Sequence, residues 1–233
     1  QIEFIDSLEA QEQDPDQLEN LFKLDHLATR MRRNAESLLV LAGAEPPRRR
    51  ARPVELADVV RVAIGEVEDF TRIHLRSLDE TTVGGNAAVD LAHLLSELME
   101  NATQFSPPDS TVEVVGARTP DGGYALTVAD RGIGMSDDQL AEANALLESP
   151  PPVGLALSRS LGFIVVGRLA RRLQVRVRLA ASPAGGLTAL LQLPASVLAP
   201  QAEIDGRMPP AAPPAVNGPT GLPPALADEP RPL

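Results

Sequence analysis

Hydrophobic residues recur along this chain with two different periods, and the changes of period divide it into elements. Leu21, Leu24, Ala28, Met31, Ala35, Leu38 and Ala42 are spaced by threes and fours, a heptad-like seam that Leu27 and Leu41 widen. That pattern predicts a long helix ended by Gly43 and the Pro46-Pro47 pair. After the basic stretch "RRRARP", the segment "VELADVVRVAIGEVEDF" predicts an amphipathic helix, and "RIHLRSL" a strand. "TTVGG" turns into a second amphipathic helix, on which Leu91, Leu94, Leu95, Leu98, Ala102 and Phe105 share one side.

Period-two runs follow. "TVEVVGA" and "YALTVAD" predict two strands joined through "RTPDGG". "SDDQLAEANALLE" predicts a short helix capped by Ser136. "LALSRSLGFIVVGRLARRL" reads as helix despite an internal glycine, and "VRVRLAASPAGGLTALLQLPA" as a closing hairpin. Beyond Ala199 the periodicity fades, and 11 of the chain's 22 prolines lie between Pro194 and Pro232. Such a composition predicts a disordered tail. Three parts result: a helical dimerisation segment (1–47), an α+β sandwich (53–199) and the proline-rich tail (200–233).

Composition narrows the chemistry. The 233 residues suffice for one or two domains with a real core. A formal charge of −11 argues against general nucleic-acid binding, which needs a basic footprint. Without cysteine there are no disulfides, zinc–thiolate sites or thiol nucleophiles. His26, His74 and His93 are too scattered for an obvious metal cluster. No apolar run reaches the ~20 residues of a membrane span. The first residue is Gln rather than Met, so the expectation is a piece of a longer protein with an upstream sensor or membrane segment.

Three stretches carry candidate chemistry. In "ELMENATQFSPPD", Glu97, Asn101 and Gln104 share a ridge of the second amphipathic helix, away from its leucines. In "VADRGIGM", a strand ends at Asp130, followed by Gly132 and Gly134, which permit positive φ and close backbone approach to a ligand. In "SRSLGFIVVGRLARRL", small residues open an apolar helix whose first amides could hold phosphate oxygens.

Their order over about a hundred residues resembles the ATP-binding domain shared by histidine kinases, gyrases, Hsp90 and MutL, and sensor histidine kinases most of all. The resemblance covers roughly Pro53 to Pro194. It implies ATP and Mg²⁺ as cofactors, with Asn101 as the Mg²⁺ ligand reaching the phosphates. Glu97 would be the acid near the transferring phosphoryl group, and Gln104 would stand where many members place a lysine. Asp130 would accept the adenine amine, Gly132 and Gly134 would pass beneath the nucleotide, Met135 would rest on the purine, and Gly162 would bring helix amides to the phosphates. Ser158 and Ser160 stand where the family's lid has glycines.

His26 falls opposite the Leu24/Ala28/Met31 stripe, on a polar face with Thr29, Arg30 and Arg33. Upstream of such a domain it is the candidate phosphoacceptor, with Asp25 placed to orient the ring or accept its proton. "LENLFKLDHLATRMRRNAESLLVLAGA" resembles actinobacterial sensor-like kinases encoded beside a roadblock-type protein and a small GTPase. That resemblance implies a homodimer through the N-terminal helix, partners of those kinds or a response regulator, and a cytoplasmic portion anchored to the membrane from upstream. Autophosphorylation of His26 is the leading expectation. The alternatives are a non-catalytic nucleotide-binding scaffold and an anti-sigma-type Ser/Thr kinase. His74 and His93 read as structural.

Overall fold

The computed structural model describes residues 52–151 and 161–199, together with residues 17, 24, 28, 31, 35 and 37–43 of the N-terminal segment. His26, Asp25, Ser158, Ser160 and the proline-rich tail lie outside the described residues. Among those described, residues 37–41 close the N-terminal helix, α1, and Gly43 takes the left-handed conformation (φ 75°) that terminates it.

Then come β1 (Val54–Glu55), α2 (Leu56–Gly65), a 3₁₀ turn (Phe70–Arg72), β2 (Ile73–Leu78), β3 (Thr82–Val83) and α3 (Gly85–Gln104). The strands β4 (Val112–Arg118) and β5 (Tyr124–Ala129) lead to α4 (Asp137–Glu148). Finally α5 (Leu161–Leu173) precedes β6 (Arg176–Ala181) and β7 (Leu187–Leu193). The main sheet runs β2-β4-β5-β7-β6, parallel between β2 and β4 and antiparallel elsewhere, while β1 and β3 form a small separate ribbon. This is the α+β sandwich expected from the sequence. The second helix is shorter than its pattern suggested, because two residues pair as β1 and the helix ends at Gly65.

Strict alternation builds the sheet's inner face. Val112 and Val114 of β4, Tyr124, Leu126 and Val128 of β5, and Leu191 and Leu193 of β7 all point into the core. The lone tyrosine of a chain without tryptophan is fully buried there, and its hydroxyl donates to the Asp79 carbonyl at 3.0 Å. Burial pushes the phenol up to about 12. Its proton is therefore held more tightly folded than unfolded, where tyrosine loses it near ~10. The stability so contributed is present below that pH and is lost as pH rises toward 12. Ultraviolet titration of the intact protein is expected to show no phenolate at pH ~10.5, and phenolate appearing there without unfolding would contradict this packing.

α3 is the central helix, with every residue from Asp90 to Ser96 buried. So deep a helix must pair its polar groups. Asp90 meets Arg172 of α5 at 2.5 Å. Burial raises its carboxyl above the usual range, an effect the guanidinium partly offsets. Ser96 donates to the His93 carbonyl. At the C-terminal end, Arg72 donates to the carbonyls of Thr103, Ser106, Pro107 and Ser110, fixing the turn that follows the helix. The internal Gly167 of α5 is explained by close packing: a Cβ there would lie 2.8 Å from the Leu147 carbonyl oxygen at the end of α4.

Two expectations about faces need correction. Leu41 does not widen the α1 seam; it is buried in the core of the sandwich, while Leu24, Met31 and Leu38 are exposed. Phe105 is 51% exposed rather than core, because it lies just past the last turn of α3.

Candidate functional site

Asn101 of the polar ridge of α3, the end of β5 and the start of α5 converge on one cavity of about 300 Å³. Asn101, Asp130, Gly132, Gly134, Met135 and Gly162 all line it. Apolar walls come from Leu98, Ala102, Val128, Phe163 and Leu179. A largely apolar pocket with a few converging polar groups is the usual form of a small-molecule site.

Within this lining, Asp130 leaves β5 held by backbone. Its amide donates to the Leu187 carbonyl, and its Oδ1 accepts from the amides of Gly132 (2.7 Å) and Leu187 (3.1 Å). Oδ2 makes no hydrogen bond among the described residues, and Asp130 lines the cavity. A carboxylate oxygen accepts only, so this end suits a donor such as an exocyclic amine. Two glycines make the arrangement possible. A Cβ on Gly132 would lie 2.5 Å from the Phe105 carbonyl oxygen. One on Gly186 would lie 2.4 Å from Asp130 Oδ1, at a φ of 77° that other residues rarely adopt. Gly134 also has positive φ, 70°, as the chain turns under the cavity toward Met135 and α4. Ser136 then starts α4 with a complete capping box, its hydroxyl accepting from Gln139 N and the Gln139 side chain accepting from Ser136 N.

Asn101 also lines the cavity, and its Nδ2 is buried without any hydrogen-bond partner. An orphaned buried donor costs about 1–3 kcal/mol, and such cost persists where a ligand meets it. Gly162, in the first turn of α5, faces the same group. A Cβ there would lie 3.3 Å from Asn101 Nδ2 and 3.4 Å from Glu97 Oε2. The first described turn of α5 thus meets an amide and a carboxylate side chain, and helix dipoles are positive toward their N-termini. These donors fit a phosphate group, and the hard oxygens of Asn101 and Glu97 fit Mg²⁺ completed by phosphates and water. Among the described residues, no three His, Asp or Glu side chains could hold a metal by themselves.

Glu97 borders the cavity rather than lining it. Gln104, the last residue of α3, is exposed and outside the lining. His93 is buried, with Nε2 at 3.2 Å from Ser37 Oγ of α1, whereas His74 is exposed on β2. No local pattern in the sequence marks Gly186 or Ser37. "PAGG" carried only a turn signal, and Ser37 only its place one turn before Leu41.

Residues 86–197 match the family model described as histidine kinase-, DNA gyrase B-, and HSP90-like ATPase. Among solved structures, the mycobacterial sensor histidine kinase MprB aligns at a TM-score of 0.50 and 19% identity, covering 61% of this chain and 97% of that one. Full-length ShkA, crystallised with AMPPNP, aligns at 0.53 and 18% identity over 78% of this chain and 40% of its own length. At these identities the likeness is one of fold, that of the histidine-kinase ATPase domain. No curated protein matches the chain.

Proposed function

We propose that the chain is the catalytic part of a sensor histidine kinase, which binds Mg²⁺-ATP in this cavity and phosphorylates His26. The observation that carries the reading is the orphaned Asn101 amide, in an apolar cavity that the backbone-held Asp130 carboxylate also lines. Those two groups suit a ligand that carries both an amine and phosphates. When bound, Mg²⁺-ATP supplies the phosphoryl group and the cation that neutralises its charge.

The protein's own residues do the positioning, which dominates phosphoryl transfer. Asp130 Oδ2 accepts from the base. Met135 and Phe163, which line the cavity, would lie against the ring. Asn101 and the first amides of α5 bind phosphate oxygens, with Asn101 also a ligand for the cation. Glu97 supplies negative charge beside it. A neutral His26 imidazole offers its lone pair as the nucleophile, and Asp25 orients the ring or takes its proton.

Leu24, Met31 and Leu38 recur every seven residues along α1 and are exposed in the single chain. That stripe supports a homodimer through α1. The described residues include no helix long and apolar enough to cross a membrane. The proposal places this portion in the cytoplasm, anchored from upstream. It gives the chain a response regulator, or the roadblock-type and small-GTPase proteins of the resembling group, as partners.

Incubation with γ-labelled ATP and Mg²⁺ tests the phosphoacceptor. Wild type is expected to acquire acid-labile phosphate and His26→Gln to acquire none, because the nucleophile that forms the phosphoramidate is gone. Equal labelling of the two would remove His26. Acid-stable label on a partner would instead indicate a Ser/Thr kinase, and ATP binding without label a signalling scaffold.

A further inference from the structure

One polar cluster joins α1 to the phosphate end of the cavity. Ser37 is only 5% exposed. Its hydroxyl donates to Glu97 Oε1 at 3.0 Å and lies 3.2 Å from His93 Nε2. A hydroxyl has a single proton, so with that proton on Glu97 its oxygen accepts from the His93 ring N–H. His93 Nε2 is also 3.5 Å from the same Glu97 oxygen. The second carboxylate oxygen, Oε2, points the other way, toward Gly162 and Asn101. Glu97 is thus shared between α1 and the site.

The docking has two further supports. Leu41 is buried in the core, and its carbonyl accepts from Arg168 of α5. Arg168 also donates to the Pro151 carbonyl at 2.8 Å. The helices α3 and α5, whose Asn101 and Gly162 flank the phosphate end, are therefore the ones that hold α1.

We propose that Ser37 is a latch: by holding the Glu97 carboxylate it couples docking of α1 to Mg²⁺-nucleotide binding, each weakening the other. The proposal rests on the nucleotide reading of the cavity. A cation beside Asn101 attracts the Glu97 carboxylate, which the Ser37 hydroxyl holds back by a charge-assisted hydrogen bond. Whatever binding takes from that bond loosens α1. By reciprocity, removing the hydroxyl tightens binding by the same factor.

The test measures Mg²⁺-AMPPNP affinity of the whole chain by calorimetry for wild type and Ser37→Ala, together with hydrogen exchange of residues 37–43. Ser37→Ala is expected to bind about fivefold more tightly with Mg²⁺, and by less than about twofold with EDTA present, since the coupling runs through a carboxylate that answers to the cation. In wild type, exchange at 37–43 is expected to rise on adding Mg²⁺-AMPPNP but not AMPPNP with EDTA. Equal or weaker binding by Ser37→Ala, or exchange at 37–43 unchanged or slowed by Mg²⁺-AMPPNP, overturns the latch and leaves the nucleotide site standing. Wild type and variant that both bind no AMPPNP overturn the nucleotide reading itself, and the latch with it.

Discussion

Replacing Asn101 with alanine is expected to weaken Mg²⁺-nucleotide binding by at least about 30-fold, with the melting temperature unchanged or raised by a few degrees. The asymmetry follows from where the side chain stands. A buried amide normally contributes to stability through its hydrogen bonds, and its loss is costly. Asn101 Nδ2 has no partner, so truncation breaks no native bond of that nitrogen and removes a desolvation cost of about 1–3 kcal/mol. Its apolar neighbours Leu98 and Ala102 carry the packing of that side of α3. Calorimetric titration alongside a thermal melt checks both halves. A variant that melts well below wild type would make Asn101 structural, and unchanged affinity would remove it from the site. A residue that weakens the fold but serves a ligand is the usual trade between stability and activity.

The second large effect lies at a residue that touches no ligand. Gly186→Ala is expected to lower stability by about 3 kcal/mol or more, and the melting temperature by roughly 6–12 °C. Three atoms stand in the way of a Cβ there: Asp130 Oδ1 at 2.4 Å, and the Asp130 carbonyl oxygen and the Gly132 amide nitrogen, both at 2.6 Å. None belongs to a flexible chain end, since Asp130 Oδ1 is held by two amides and the others are backbone. The φ of 77° adds strain for any residue with a Cβ. Because the displaced atoms are those that aim Asp130, adenine-nucleotide binding is expected to fall with stability. Its neighbour Gly185 also has positive φ, but a Cβ there meets nothing within 4 Å, so Gly185→Ala is expected to cost only the backbone strain of about 1–2 kcal/mol. Equal melting points for the two variants would contradict this account of the turn.

The contrast between these two predictions marks what could be read from the sequence. Asn101 and Asp130 were legible because each sits at a fixed place in a local pattern: a polar ridge on an otherwise apolar helix, and the end of an alternating strand followed by paired glycines. The sheet was legible for the same reason, since alternation in β4, β5 and β7 names the inward residues directly. Gly186 was not. Its neighbours across the turn come from β5 pairing with β7, a contact between residues 57 positions apart that no local period announces. Leu41 failed in another way. One apolar helix carried two apolar contacts, an exposed stripe and a buried docking edge, and spacing alone merged them into one seam. Ser37 follows from Leu41, because a residue one turn before a docked leucine lies on the docked face.

The central claim is that the cavity between α3, β5 and α5 holds Mg²⁺-ATP, with the base at Asp130 and the phosphates at Asn101. Calorimetric titration of the wild-type chain with ATP and with GTP, each with Mg²⁺ and with EDTA, addresses it most directly. The account predicts saturable ATP binding that strengthens with Mg²⁺, and GTP binding weaker by at least about tenfold, because the guanine carbonyl would face a carboxylate that can only accept. Equal affinity for ATP and GTP, or ATP binding indifferent to Mg²⁺, would contradict it.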